Sequence, residues 1–234
     1  MSTGTIASNK GFEAELKDWI SQERAAIQLM SIVGNLRFDK AVELIIFRLP
    51  LHDSSVSEIL SQHDYARKVV GKNISVFDSL EVAVGILEMD LAPAKIDLGK
   101  LAYEWTDAKA SGSTVASFLN DKIGTFVNDG RNPSAPRDVV LYGFGRIGRL
   151  AARELISQSA KGDQLRLKAI VTRSNSELDI RKRADLLRTD SVHGEFGGTV
   201  QVDAENKALI INGHTVSMIA ANSPAEINYT AYGI

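Results

Sequence analysis

The chain of 234 residues contains no cysteine. Disulfide bonds, thiolate metal sites and a cysteine nucleophile are therefore excluded for these residues. The sequence also lacks an apolar run long enough to cross a bilayer, and its first residues lack the basic-then-apolar pattern of a secretory signal. We therefore expect a cytoplasmic protein without a membrane partner.

Long basic blocks, which would indicate nucleic-acid binding, are missing as well. Residues 1–130 carry 13 Lys and Arg against 18 Asp and Glu, whereas residues 131–234 carry 14 against 11. The basic second part favours an anionic ligand, because arginine presents planar, forked donors that match phosphate. Because long basic blocks are missing, we expect no nucleic-acid partner. His52 and His63 do not have a metal-ligand spacing, so we expect no metal site either.

The composition predicts two domains joined by a linker. Gly130, Pro133 and Pro136 lie among small polar residues, a composition that neither continues a helix nor joins a sheet comfortably. We therefore expect a first domain over residues 1–130, a linker over 131–137 and a second domain over 138–234.

Apolar residues recur at intervals of three and four through the first domain, which predicts an all-α domain of five to seven helices. The apolar residues between Val42 and Leu49 are assigned to one of these helices. Ser55 and Glu58 have the spacing of a capping box, and Asp78 is a second candidate cap. We expect Trp19, Tyr65 and Trp105 in the helical core.

The second domain opens with a motif for dinucleotide binding. A short apolar strand, residues 139–142, leads into Gly143, Phe144, Gly145, Arg146, Ile147 and Gly148, and a helical pattern follows from Arg149. In this G-x-G-x-x-G spacing the first glycine permits a tight turn, the second lets the backbone approach a pyrophosphate, and the third packs the helix closely. The pattern predicts a Rossmann-type α/β domain. The alternative is a glycine-rich structural turn without a ligand.

A second apolar strand, residues 165–172, ends where such a fold meets the adenosine ribose. NAD-selective sites usually carry an acid there, but here Thr172 and Arg173 follow one another, and Arg173 could bind a 2′-phosphate. The sequence therefore favours NADP, or use of both cofactors, over strict NAD. In the alternative interpretation Arg173 faces solvent and Thr172 alone bonds the ribose.

Two further signals follow along the chain. Ser176 and Asp179 predict the start of a helix that runs to Leu187. Asn212-Gly213 between two apolar runs predicts a tight hairpin, and hence a small antiparallel insert in the sheet.

Four segments resemble the N-terminal part of phosphorylating glyceraldehyde-3-phosphate dehydrogenase. They are residues 143–149, 188–200, 210–213 and 223–227. The resemblance covers about residues 137–234, with Tyr142 in place of the asparagine that opens the family motif. Residues 1–130 resemble the helical extension on a longer variety of that enzyme.

The resemblance implies that residues 143–148 hold the cofactor pyrophosphate, with the backbone amides of Arg146 and Ile147 nearest the phosphates. The ribose acid of the family falls on Thr172, and Asn222 stands where the family often has a basic residue near the adenine. Asp190, Ser191 and His193 match a family signature. We interpret these three as structural residues that order the chain after the second helix.

In the family, the catalytic cysteine and histidine lie beyond the part matched here. We therefore expect no catalytic residue in this chain, which we interpret as an N-terminal fragment with a sheet incomplete at its C-terminus. The complete parent would be a homotetramer of glycolysis or gluconeogenesis that oxidises and phosphorylates an aldehyde phosphate with NAD or NADP. Glyceraldehyde 3-phosphate and erythrose 4-phosphate both remain possible substrates. The alternative is a non-catalytic dinucleotide-sensing or assembly module that a partner completes.

Overall fold

The computed structural model describes residues 9–71, 73–127, 136–159 and 165–234. The chain divides into two compact units, residues 1–131 and 132–234. Residues 131–135 of the predicted linker lie outside the described residues.

The first unit contains five α-helices and three strands within the residues that the structure describes. The elements are α1 (Asn9–Lys40), β1 (Val42–Ile46), β2 (Leu49–Pro50), α2 (Val56–Val70), α3 (Val76–Glu88), β3 (Ala94–Asp97), α4 (Leu98–Ala110) and α5 (Val115–Ile123). The strands form one sheet in the order β2-β1-β3, in which β1 and β3 are parallel and β1 and β2 are antiparallel.

The prediction of an all-α first domain is therefore wrong in one part. Val42, Leu44 and Ile46, which we assigned to a helix, are the buried face of β1, and the residues between them are partly exposed. This alternation has the period of a strand, and two of the three buried residues are β-branched, which favours a pleated conformation.

The core of the first unit confirms one of the three aromatic predictions. Trp105 is 2% exposed, and its indole nitrogen donates to Glu81. Trp19 and Tyr65, which we expected beside it, are 48% and 50% exposed. About half of each of these two side chains is exposed, so neither belongs to the buried core cluster of the unit.

The helix starts follow local capping chemistry. Ser55 and Glu58 form the predicted capping box of α2. The cap of α3 is Ser75 rather than Asp78, which instead occupies the third helical position and bonds back to Ser75. Both boxes satisfy backbone donors that the first helical turn leaves without partners.

The second unit is an α/β sheet with helices. Its elements are β4 (Arg137–Tyr142), α6 (Arg146–Gln158), β5 (Leu165–Thr172), α7 (Glu177–Arg188), β6 (Thr189–Asp190), β7 (Gly194–Glu195), β8 (Val200–Asp203), β9 (Ala208–Ile211) and β10 (His214–Ala220). Five strands form one sheet in the order β4-β5-β10-β9-β8.

The arrangement is that of the predicted Rossmann-type domain with an antiparallel insert. β4, β5 and β10 are parallel, whereas β9 pairs antiparallel with β10 and with β8. Asn212 and Gly213 join β9 to β10 with φ values of 47° and 81°, the left-handed pair that a tight hairpin turn requires. The predicted hairpin is therefore confirmed.

Both helices of this unit contribute to the same core cluster. Ala152 and Ile156 of α6 and Ile180 and Leu187 of α7 are buried there, together with residues of β5, β9 and β10. β4 lies at the sheet edge and pairs only with β5 within the described residues, and its residues 138–141 are only partly buried. This sheet places the ends of β4, β5 and β10 side by side.

Candidate functional site

The turn between β4 and α6 forms the centre of the candidate site. Gly143 follows the strand with φ +93°, and its N–H donates to the carbonyl of Val171 at 2.9 Å. Gly145 is the N-cap of α6 and provides no side chain to cap it. The N-terminus of α6 therefore presents backbone N–H groups that no N-cap side chain satisfies, and such groups attract anions.

The three motif glycines meet different surroundings. Gly143 needs its left-handed φ, which other residues rarely adopt. A Cβ on Gly145 would meet no atom within 4 Å, so the surface above it is open. A Cβ on Gly148 would overlap the carbonyl oxygen of Gly143, so this glycine lets the helix approach the turn. The tight turn and the close packing have the geometry that the motif predicts.

The other motif residues separate into buried and exposed ones. Phe144 is 8% exposed and belongs to the core of the unit, so its side chain packs rather than facing the open surface above Gly145. Ile147 is 78% exposed on the first turn of α6. An apolar side chain that is this exposed beside an open backbone offers a surface to a ligand.

The end of β5 holds the two residues that we expected near the ribose. Thr172 is 7% exposed, and its hydroxyl donates to the carbonyl of Ser174 at 2.7 Å. Arg173 is exposed, and its guanidinium forms no ion pair with the described part of the chain. The hydroxyl proton of Thr172 is thus already used within its own loop, whereas the charge of Arg173 is available to a ligand.

Asn222 follows β10 at the same edge of the sheet. The Tyr142 hydroxyl donates to the Asn222 carbonyl, and the N–H of Ala221 donates to the Thr172 carbonyl at 3.1 Å. The carboxyl ends of three parallel strands are therefore joined directly. In open α/β sheets this edge is where ligands bind, so the fold brings the glycine turn, Thr172–Arg173 and Asn222 to one side.

The arginines of α6 have a role that we did not predict. Arg153 donates to the carbonyls of Leu187 and Gly194 at 2.7 and 3.1 Å, and its guanidinium lies 5.7 Å from the centre of the Phe196 ring. Arg149 reaches Asp190 at 3.4 Å. These side chains hold the segment after α7 against α6, so they do not lie free for phosphate.

Asp190 is the hub of that segment. It is 5% exposed and accepts the backbone N–H groups of Val192 and His193, each at 3.0 Å. These two bonds, with those from the His193 ring and Arg149, hold the pKa of the Asp190 carboxyl well below its ordinary value. Arg146 bonds to Ser191 at 3.3 Å. The contacts are those of an ordered turn, in agreement with our structural interpretation of Asp190, Ser191 and His193.

One sequence signal could have revealed this packing. Arg146, Arg149 and Arg153 lie at positions i, i+3 and i+7 and therefore share one face of a helix. Three arginines on one face of a helix that packs on a sheet indicate nearby hydrogen-bond acceptors as readily as they indicate exposure to solvent. The acceptors themselves are mostly backbone carbonyls, which a sequence does not mark.

Other kinds of site are not visible in the described residues. They contain no group of three or more His, Asp or Glu side chains that could hold a metal ion. None of the described helices is both long enough and apolar enough to cross a membrane.

A family model matches the second unit. Residues 137–234 match the family model described as glyceraldehyde 3-phosphate dehydrogenase, NAD binding domain. This match confirms the predicted resemblance and the predicted class of cofactor, a nicotinamide dinucleotide.

Three relatives show how far the similarity extends. The chain is 40% identical over 212 residues to a glyceraldehyde-3-phosphate dehydrogenase-like protein of Pseudomonas aeruginosa, a match that covers 88% of this chain and 45% of that protein. It is 37% identical over 94 residues to the glyceraldehyde-3-phosphate dehydrogenase of Haemophilus influenzae, covering 40% of this chain and 25% of that enzyme. It is 35% identical over 93 residues to glyceraldehyde-3-phosphate dehydrogenase 1 of Drosophila melanogaster, with the same coverage of 40% and 25%.

The coverage separates the two units. A match over 88% of the chain must include most of the first 130 residues, so the Pseudomonas relative has a counterpart of the first unit. The other two matches are no longer than the second unit. The chain spans less than half the length of these curated relatives.

Proposed function

We infer the function from the family to which residues 137–234 belong, that of the glyceraldehyde-3-phosphate dehydrogenase NAD-binding domain. We propose that residues 143–148 bind the pyrophosphate of a nicotinamide dinucleotide at the N-terminus of α6. When bound, this cofactor supplies a nicotinamide ring that accepts a hydride. The residues of this chain bind and orient it.

The observation that most directly supports a pyrophosphate site is the contrast between Gly145 and Gly148. The first has open space where a Cβ would be, and the second has none. A purely structural turn needs no clearance above its second glycine. The open surface, together with the N-terminus of α6 without a capping side chain, fits a phosphate group that approaches the backbone closely.

Arg173 supports the proposal that the site accepts NADP. It follows β5 directly, where NAD-selective sites carry an acid, and its guanidinium forms no ion pair within the described residues. A guanidinium in this position can bond a 2′-phosphate, and Thr172 stands where NAD-selective sites carry the acid. The nearby Asp179 carboxylate accepts from the hydroxyls of Ser174 and Ser176. We therefore propose NADP, or both cofactors, with Thr172 and Asn222 beside the adenosine.

The parent protein is proposed to be an aldehyde-phosphate dehydrogenase of the cytoplasm that assembles as a homotetramer. Its nucleophile and base would come from residues outside this chain, since these 234 residues contain no cysteine. The coding sequence beyond Ile234 tests this directly. A continuation with a cysteine and a later histidine favours the dehydrogenase, whereas an immediate stop codon favours a dinucleotide-sensing or assembly module.

The half-buried edge strand β4 is the observation that keeps the module as second candidate. Val139, Val140 and Leu141 are partly exposed there, so a partner could complete the sheet. An assay of the complete gene product with inorganic phosphate and NAD+ or NADP+ separates the functions. Oxidation of glyceraldehyde 3-phosphate or of erythrose 4-phosphate identifies the substrate. Dinucleotide binding without oxidation of either aldehyde supports the module.

A further inference from the structure

Helix α1 carries an apolar stripe that the described residues of its own unit leave exposed. We call this the outer stripe, and its members are 37% to 66% exposed: Phe12, Leu16, Trp19, Ile20, Ile27, Met30 and Phe38. All residues from 11 to 20 are exposed, so the first turns of the helix make little contact with the described part of the unit. Large apolar groups in a continuous exposed row mark an interaction surface.

The outer stripe is distinct from the face of α1 that forms the core. Ala26, Leu29, Val33 and Leu36 are each at most 4% exposed and pack inside the unit. The helix therefore has two apolar faces side by side. The core face packs against α2, α3 and β1. The outer stripe has no partner among the described residues.

The stripe has a regular period. Positions 12, 16 and 19 recur eleven residues later as 23, 27 and 30, and the first two recur again as 34 and 38. Glu23 and Gly34 are the two members of this series that are not large and apolar. An eleven-residue repeat has about 3.67 residues per turn, which keeps one face aligned along a long, nearly straight helix. This pattern is typical of a helix that pairs with another helix.

The exposed area of the outer stripe is close to that of a standard interface. If a complete large apolar side chain represents on the order of 200 Å², seven that are about half exposed amount to roughly 700 Å². A standard interface buries about 800 Å² on each partner. The outer stripe alone therefore approaches the area that two chains need.

The flanking charges bear on what the partner is. Among the exposed residues 11–20, the acids Glu13, Glu15 and Asp18 outnumber the one base, Lys17. Helices that lie on anionic membranes carry Lys and Arg on their polar face, so this acidic segment is unsuited to a lipid surface. A second helix with the same apolar stripe could cover the outer stripe without a basic surface to pair with the acids.

We propose that the outer stripe is the interface of a homodimer in which α1 pairs antiparallel with α1 of a second copy. A parallel pair would bring the two Glu23 side chains together inside an apolar seam, which is costly for like charges. Antiparallel pairing about the midpoint of the stripe instead brings Phe12 opposite Phe38 and Glu23 opposite Ile27. The inference does not depend on the proposed dinucleotide site, because it uses only the first unit.

Sedimentation equilibrium of the 234-residue chain in the micromolar range is the first test. We expect a dimer, and we expect Trp19→Glu to weaken dimerisation at least about tenfold, since a charge would enter the seam. The matched control is Gln28→Glu, which adds the same charge to an exposed position of α1 outside the stripe and should leave the dimer unchanged. Glu23→Leu should strengthen the dimer, because it removes the one charge in the series.

The absence of cysteine permits a clean orientation test. When Phe12→Cys and Phe38→Cys chains are mixed under oxidising conditions, antiparallel pairing should give a disulfide between the two variants. Phe12→Cys alone should give little cross-linked product. Efficient cross-linking of Phe12→Cys with itself would overturn the antiparallel arrangement.

Two results would overturn the homodimer. A wild-type chain that stays monomeric through the micromolar range would show that the stripe has another occupant. A dimer that Trp19→Glu leaves intact, but that a charge on β4 such as Val139→Glu disrupts, would place the contact on the open sheet edge instead. Circular dichroism of each variant confirms that it is folded.

Discussion

Single residues in the glycine turn show why a motif can be understood in physical terms. Gly143 is required by its φ of +93°, and Gly148 by the carbonyl that a Cβ would overlap. Gly145 has neither requirement in the structure, since its φ is −72° and no atom lies near its Cβ position. Glycine is also a favourable N-cap residue, and we propose that the open surface above Gly145 receives a ligand. The three positions are therefore separable by experiment.

Replacing Gly148 tests the packing role. The Cβ of Gly148→Ala would collide with the Gly143 carbonyl, and relieving the collision requires a backbone shift. We expect the free energy of unfolding to fall by about 1–3 kcal/mol, as for other overpacked sites. Urea denaturation measures it, with Gly197→Ala as the control because its Cβ meets nothing. Equal stabilities for Gly148→Ala and Gly197→Ala would contradict the close approach.

Replacing Arg173 tests cofactor choice. If its guanidinium bonds a 2′-phosphate, Arg173→Ala should weaken NADP binding by roughly 1.5–3 kcal/mol and leave NAD nearly unchanged. Isothermal titration with both cofactors measures the difference. Arg181→Ala is the charge-matched control, because Arg181 pairs with Glu177 on the exposed side of α7. Equal losses for NAD and NADP would rule out 2′-phosphate recognition by Arg173.

Asp190 should make stability depend on acid pH. Its carboxyl has a lowered pKa in the folded chain, so its contribution is complete above the ordinary value of about 3.9 and is lost as the pH falls through the folded pKa. Asp190→Asn should therefore have a lower Tm than the wild type at neutral pH. The difference should shrink as the pH is lowered below that ordinary value. A difference in Tm that does not change with pH would show that the carboxylate charge is not the stabilising feature.

At the scale of elements, the sequence predicted most of the second unit. The strand before the glycine turn, the helices α6 and α7 and the hairpin at Asn212-Gly213 all appear, because each depends on local signals such as caps, glycines and periodicity. The packing of Arg149 and Arg153 on the segment after α7 could not be predicted, since most of their partners are main-chain atoms brought near by the sheet.

The first unit shows where periodicity is insufficient. Val42, Leu44, Ile45 and Ile46 fit a helical spacing and a strand spacing equally well over such a short run. The β-branched side chains and the pairing with β3, about fifty residues later, decide for a strand. That pairing is a long-range contact, and no local signal reports it.

The hairpin offers a test of turn chemistry. Gly213 has φ +81°, so Gly213→Ala should destabilise the second unit by about 1–2 kcal/mol through the cost of a left-handed conformation. Thermal or urea unfolding measures the change. An alanine variant that is as stable as the wild type would show that the turn relaxes to another type.

At the scale of the whole molecule, the matches to known proteins extend over different lengths of the chain. The Haemophilus and Drosophila matches are no longer than the second unit, whereas the Pseudomonas match covers 88% of the chain and therefore includes much of the first unit. The sequence predicts a linker over residues 131–137, and the structure divides the chain at 131/132. It could not indicate what the first unit does, because a surface for another chain leaves no motif of the kind that a phosphate site leaves.

The most direct measurement is the titration of the wild-type chain and of Gly145→Ala with NAD+ and NADP+ by calorimetry. Alanine at this position would contact no atom and would need only an ordinary φ, so circular dichroism should show a folded variant. The Tm should fall only by the small amount that a less favourable N-cap residue causes. We predict that the wild type binds a dinucleotide and that Gly145→Ala does not, because a methyl group would occupy the pyrophosphate approach. A folded Gly145→Ala variant with wild-type affinity, or a wild-type chain that binds neither cofactor, would contradict the assignment of residues 143–148 as the cofactor site.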